Sequence, residues 1–278
     1  MEEGKILESP DQAAGRKDKR KKIIVWSIGL ILVVVAVFLF LAKPSAKTES
    51  GSIPKLIQAD FIDLSKIYSI SKFRSGSGHD FSGNGETCRS MKHYFNTQWT
   101  TEGQKMREAN NNLPPSPDGV NDVAIYSPVD GEITGIATEK MPIGVQIYIK
   151  PNSDPDYTIR LFHIYTNDGI KKGSKLTAGQ EIGKISQYSN TDIAIMKRSL
   201  AREQYFSYFE MMPDDLFAKY IARGVTKRDD LILSKEYRDS HPLECNGEQF
   251  SQNYDSDSSS GNFSYLSGYI GLDQTNGQ

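Results

Sequence analysis

The stretch Ile170-Lys171-Lys172-Gly173-Ser174-Lys175-Leu176-Thr177-Ala178-Gly179-Gln180-Glu181-Ile182-Gly183 decides the fold class. Gly169 and Gly173 flank Lys171 and Lys172 in a tight turn. Leu176 to Ile185 then gives a strand pair around Gly179 and Gly183. Glycine takes the backbone conformations of such turns at little steric cost. Working outward, Ala124 to Ile133 reads as strand, tight turn, strand, with Pro128, Asp130 and Gly131 at the turn. Val145, Ile147 and Ile149 alternate with Gln146, Tyr148 and Lys150, the period of a half-buried strand. Ile159, Leu161 and His163 fall on one face of the next strand, and Asp192 to Met196 is a last short apolar run. The chain is therefore mainly β over residues 53–196.

Residues 83–122 read as an insertion into that β domain. They include the loop Asn110 to Gly119 and a cluster of Cys88, Arg89, Lys92, His93, Tyr94, Phe95 and Trp99. The plain reading is that these aromatics pack the insertion onto the barrel. The alternative is a lid, or a sugar or peptide site, at Tyr94 and Trp99. After residue 196 the period changes. Pro213, Asp214 and Asp215 open a helix with apolar positions Leu216, Phe217, Tyr220 and Ile221, ending at Gly224. Residues 197–249 thus read as a helical appendage. Residues 250–278 are mostly Ser, Asp, Asn, Gly and Tyr and read as a disordered tail.

The whole chain has 278 residues and a formal net charge of −2. That balance argues against a nucleic-acid partner, which calls for a basic excess. Ile23 to Ala42 carries no charge and is about 20 residues long, enough to cross a hydrocarbon core as a transmembrane helix. Residues 1–22 hold seven basic and five acidic side chains, with Arg16, Lys17, Lys19, Arg20, Lys21 and Lys22 next to the apolar block. The basic bias puts this head in the cytoplasm and the rest outside the membrane. The block is longer and bulkier than the core of a cleaved signal peptide. It reads as a signal-anchor, with the lipid bilayer as its partner and residues 43–52 as a linker. Both cysteines, Cys88 and Cys245, fall in the exported part, where an even count reads as a disulfide. The alternative is two buried free thiols.

The strand region, over roughly residues 72–196, resembles the lysostaphin-type M23 peptidase family, zinc enzymes that cut peptidoglycan cross-links. Tyr126 to Ile133 looks like that family's A-x-x-D-G-x-V strand turn. Gly144 to Ile149 looks like its G-x-x-V-x-I strand, and Leu161-Phe162-His163-Ile164 like its Y-x-H-L strand. Ile170 to Gly183 looks like its V-x-x-G-x-x-V-x-x-G-Q-x-I-G segment. The resemblance implies a β-sandwich or barrel, here with a C-terminal helical appendage. Biotinyl and lipoyl carrier domains share two of these pieces, but Met196-Lys197 lies past the last strand, not in a mid-barrel hairpin.

The family binds zinc through H-x-x-x-D and the second histidine of an H-x-H strand. The resemblance puts Asp80, in Gly78-His79-Asp80-Phe81-Ser82, at the aspartate ligand. Gly76 stands where the first histidine belongs. Asn190 and Asp192 replace the histidines of the last strand, and His163 falls on an assisting catalytic histidine. Zinc accepts imidazole nitrogen and carboxylate oxygen, so a variant site would draw on Asp80, Asp192, His79 and His93. Alternation along a strand sends His79 and Asp80 to opposite faces unless a bulge intervenes. The resulting expectation is a cell-envelope module that binds peptidoglycan or an envelope protein, with its zinc site degenerate. The second expectation is a metallohydrolase of cell-wall peptides with a variant metal site.

Overall fold

A computed structural model describes residues 52–83, 85–97, 122–139, 144–186, 189–199, 202–252 and 263–266. Contacts divide the chain into Met1–Ser52 and Ile53–Gln278. The expected anchor Ile23 to Ala42 and Trp99 lie outside the described residues, and no helix among the described residues is long and apolar enough to cross a membrane.

The strands are β1 (Ile67–Ser71), β2 (His93–Thr97), β3 (Val123–Tyr126), β4 (Gly131–Thr138), β5 (Val145–Pro151), β6 (Tyr157–Thr166), β7 (Lys175–Leu176), β8 (Glu181–Ile185), β9 (Asn190–Ser199) and β10 (Arg202–Phe206). Two helices follow, α1 (Asp214–Ile221) and α2 (Lys235–Ser240). A small hairpin of β11 (Cys245–Asn246) and β12 (Gln249–Phe250) comes next, and then β13 (Phe263–Tyr265). One sheet runs in the order β13-β1-β2-β9-β6-β5-β4-β7, with β10 beside β9 and β8 joining β3 to β6. The pairings along it are antiparallel.

The glycine-turn segment folds as its sequence suggests. Gly173 and Gly179 take φ +89 and +79. At Gly183 a Cβ would lie 2.5 Å from the Tyr165 carbonyl oxygen, so only glycine lets β8 approach β6 there. One face of the sheet carries the main core: Ile133, Ile147, Ile149, Ile159, Leu161, Ile164, Ile193 and Ile195. Phe61 meets Phe95 edge-on at 4.8 Å on that side. The other face carries a smaller cluster of Phe73, Met91, Phe162, Ala194, Met196 and Tyr205.

Three boundaries and the face of one side chain differ from the sequence reading. His93–Thr97 lies inside the expected insertion 83–122, yet it is a central strand between β1 and β9. All five of its residues are buried, because Phe95 and His93 fill the core side while Tyr94 and Asn96 fill the other. The sheet also runs past residue 196, since β9 reaches Ser199 and turns back as β10, so the helices of the appendage begin only at Asp214. Within the expected tail, β13 pairs with β1 and Leu266 is buried. That single apolar anchor is outweighed in composition by its polar neighbours. Finally, His163 does not share a face with Leu161. Val145 pairs with Ile164 and Ile147 with Leu161, so β6 carries an extra residue there. This bulge puts Leu161 and Ile164 in the core and turns Phe162 and His163 to the opposite face.

Candidate functional site

The second face of the sheet gathers the charged residues. His163 sits in the bulge with φ +62, a left-handed conformation uncommon for a residue with a Cβ. Such strain is held only where the surroundings fix it. Here two carboxylates do so. The His163 Nδ1 lies 2.6 Å from Glu139 Oε2, and Nε2 lies 3.0 Å from Asp192 Oδ1. With a carboxylate on each nitrogen the ring is held as an imidazolium. Burial works against that charge, but Asp192 and Glu139 outweigh it and push the pKa up to about 9.

Asp192 is fully buried in β9. Its other oxygen, Oδ2, lies 2.6 Å from Lys92 Nζ, and Lys92 is only 2 % exposed. Burial would favour the neutral acid, but Lys92 and His163 hold the Asp192 carboxyl well below the usual carboxylate range. Lys92 in turn keeps its proton: burial lowers its pKa, and Asp192 and Tyr94 more than reverse this. The ammonium stands over the rings of Phe162, Tyr94 and Phe81 at 4.5, 4.7 and 4.9 Å. Cation–π contact supplements its hydrogen bonds in this desolvated place.

His79 completes the cluster. Its Nδ1 lies 2.9 Å from the Asp80 carbonyl oxygen, so Nδ1 carries the proton. Nε2 then offers its lone pair to Lys92 Nζ at 3.3 Å. Burial, and then the Lys92 charge, lower the His79 pKa. His79 and Asp80 are in a turn, not a strand. Gly78 sets that turn with φ +73, and the Tyr94 hydroxyl occupies the space where a Cβ would be.

The remaining expected ligands do not join them. The Asp80 carboxylate faces its own loop, accepting from Ser82 Oγ at 2.7 Å and from the Arg89 N–H at 3.1 Å. His93 points into the core, its Nδ1 2.8 Å from the Ser71 carbonyl oxygen and its Nε2 2.8 Å from Ser207 Oγ. Burial drives the His93 pKa down to about 4, a neutral core histidine. Asp80, Asp192, His79 and His93 therefore do not form one metal site. Among the described residues, no cluster of three or more His, Cys, Asp or Glu side chains can hold a metal ion. Zinc would need the lone pairs of Asp192 and His79 at about 2.0–2.2 Å. Those lone pairs are given to the Lys92 ammonium, whose charge would repel the ion. The residues present do not fit zinc.

Tyr94 is buried against the lysine, below the surface of the domain. Sequence reasoning missed the central role of Lys92 and the part of Glu139. The available signal was charge balance: a chain with Asp192 where the resemblance expects one histidine and Gly76 where it expects another needs a further cation beside that carboxylate. A lysine set in the otherwise apolar and aromatic run Met91 to Phe95 supplies it.

Cys88 and Cys245 form a disulfide. It ties the loop after Asp80 to the β11–β12 hairpin. Arg89 adds ion pairs to Glu86 and to Asp239 of α2.

No family model and no curated protein sequence matches the chain. Solved structures do. A solution structure of lysostaphin is 21 % identical, with 34 % of this chain and 46 % of that chain covered at a TM-score of 0.24. Csd3 of Helicobacter pylori is 14 % identical over 77 % of this chain and 45 % of that chain, TM-score 0.31. A chain of the SpoIIQ–SpoIIIAH pore-forming complex is 12 % identical over 62 % of this chain and 98 % of that chain, TM-score 0.35. The chain thus spans about half the length of the lysostaphin and Csd3 chains. The strand turn at Asp130 and Gly131, the His163 strand and the Gly173 to Gly183 segment, which carry the M23 resemblance in the sequence, each lie in the sheet.

Proposed function

We propose that this chain is a membrane-anchored, extracytoplasmic M23-like module that binds the cell envelope and performs no zinc chemistry. One observation carries the reading: a buried ammonium, Lys92 Nζ, stands 2.6 Å from Asp192 Oδ2 and 3.3 Å from His79 Nε2. An internal cation there satisfies the donors that a metal would otherwise draw on. The quartet of Lys92, His163, Asp192 and Glu139 has two cations and two carboxylates, so it is neutral without a metal.

Residues 23–42 supply the anchor in this reading, and the basic head faces the cytoplasm. The Cys88–Cys245 disulfide supports an oxidising location for the domain. Peptidoglycan peptides, or an envelope protein that meets them, are the proposed partners, because the resemblance is to enzymes of that substrate.

The test uses the purified full chain in detergent. Elemental analysis should find no stoichiometric zinc, muropeptides should stay uncut with or without chelator, and the chain should cosediment with isolated sacculi. One zinc per chain together with chelator-sensitive cleavage would overturn the reading, as would loss of sacculus binding.

A further inference from the structure

Arg160 is a half-buried cation on the same sheet face as His163, and among the described residues no carboxylate lies within ion-pair distance of it. The other arginines of the domain with described contacts are neutralised or saturated. Arg74 and Arg89 pair with Glu86, and Arg228 with Asp214. Arg238 donates to the carbonyl oxygens of Arg74 and His241. Arg160 has neither kind of partner. Its Nη2 donates to Gln146 Oε1 at 2.8 Å, and the Tyr205 hydroxyl oxygen takes a further bond. Its Nε is enclosed and has no hydrogen-bond partner among the described residues. Glu203 feels the Arg160 charge but is bonded to Arg198 and to the Tyr205 hydroxyl.

The guanidinium is also held in place. Its central carbon stands 4.9 Å from the Phe162 ring centroid and 5.1 Å from those of Phe81 and Tyr148. Across the sheet, Arg160 pairs with Tyr148 on one side and with the small Ala194 on the other. Gln146 Oε1 accepts from both Arg160 and the Tyr148 hydroxyl, at 2.8 and 3.1 Å. That use of the oxygen leaves the Gln146 amide NH₂ with no partner among the described residues. A fixed guanidinium with N–H groups left on its Nη atoms, an amide without a described partner and aromatic walls is what a carboxylate on a small peptide requires. A charge partly desolvated with no carboxylate in direct contact among the described residues is costly, so an incoming carboxylate gains twice.

We infer that Arg160, with Gln146 and the rings of Tyr148 and Phe81, is a recognition site for the free carboxylate of a peptide. The identity of the peptide rests on the envelope-binding reading above; the carboxylate chemistry does not.

The test is isothermal titration of the full chain in detergent with acetyl-D-Ala-D-Ala as the free acid, as its C-terminal amide, and with inorganic phosphate. The free acid should bind at least about 10-fold more tightly than the amide, and phosphate should compete no better than the amide. Arg160→Met should lose the preference for the acid, and Arg160→Lys should lose most of it, because a point charge replaces a fork. If Arg160→Met melts early, Arg160→Lys and Gln146→Met decide. Equal binding of acid and amide, unaltered binding by Arg160→Lys, no binding at all, or phosphate competing as well as the acid would overturn the inference. Sacculus cosedimentation runs alongside. A parent chain that cosediments but binds acid and amide equally refutes the site and leaves the envelope reading standing. Acid binding without cosedimentation refutes the envelope reading and leaves the site.

Discussion

Lys92 Nζ lies 2.6 Å from Asp192 Oδ2, with both side chains inside the domain. A buried ion pair adds little relative to an apolar pair of the same shape, but removing one partner leaves a bare charge. Lys92→Met should therefore lower stability by about 3–5 kcal/mol. Lys92→Met combined with Asp192→Asn should recover at least half of that loss, since no net charge is then stranded. Urea denaturation of the parent and the two variants gives the comparison. A single variant within about 0.5 kcal/mol of the parent would mean that Asp192 does not depend on Lys92.

Half-buried His163 and fully buried His93, on opposite faces, give stability a two-sided pH dependence. His163 has a folded pKa of about 9 against an ordinary 6.5. Its stabilisation is complete below pH 6.5 and is lost as pH rises towards 9. His93 has a folded pKa of about 4, so between pH 4 and 6.5 the unfolded chain binds a proton that the folded chain refuses. Its part of the stability grows over that window as pH rises. The sum is a maximum near pH 6.5, with limbs of up to about 3 kcal/mol each. Asp192 contributes a further loss only below pH 3.8. Denaturation midpoints between pH 4 and 9 trace the curve. His163→Gln should flatten the alkaline limb, and a His163 ring titrating near 6.5 by NMR would contradict the double carboxylate clamp.

Much of the fold was legible because alternation and glycine turns are local signals. Ile147 and Ile149 face the core as their period required, and Phe217 and Tyr220 mark the buried face of α1. His163 was harder. Its place depends on a bulge formed by a non-glycine residue at positive φ, and nothing in Leu161-Phe162-His163-Ile164 announces one. Lys92 was obscured for another reason. A lysine among aromatics reads as surface chemistry, because a buried ammonium is rare unless a distant residue neutralises it. Its partner is Asp192, 100 positions later in the chain. The pairing of Cys88 with Cys245 was readable, since two cysteines permit one bond.

Gly78 is the hinge on which the His79 turn depends. It takes φ +73, and a Cβ would fall 2.0 Å from the Tyr94 hydroxyl. Gly78→Ala therefore meets a backbone penalty of about 1 kcal/mol and displaces Tyr94 from the ammonium it covers. The expected total is a loss of about 2–3 kcal/mol, large for a glycine-to-alanine change. Tyr94→Ala should relieve the clash but keep the backbone part, so the double variant should cost less than the sum of the singles. Additive losses in urea denaturation would show that the two residues do not meet.

The Cys88–Cys245 bond joins positions 157 apart, and it closes a loop that contains most of the sheet. Closing a loop of that length restricts the unfolded chain by about 5 kcal/mol in the chain-entropy treatment, an upper figure where native strain or residual structure intervenes. Cys88→Ser with Cys245→Ser should lower stability by about 2–5 kcal/mol. Fast hydrogen exchange should appear first in the Ser82 to Ser90 loop and the β11–β12 hairpin, which the bond ties together. The Arg89–Asp239 ion pair, with Asp239 42 % exposed, cannot replace the covalent link because water screens it. Uniform loss of protection across the sheet, with no earlier opening of that loop, would place the bond's effect wholly in the unfolded chain.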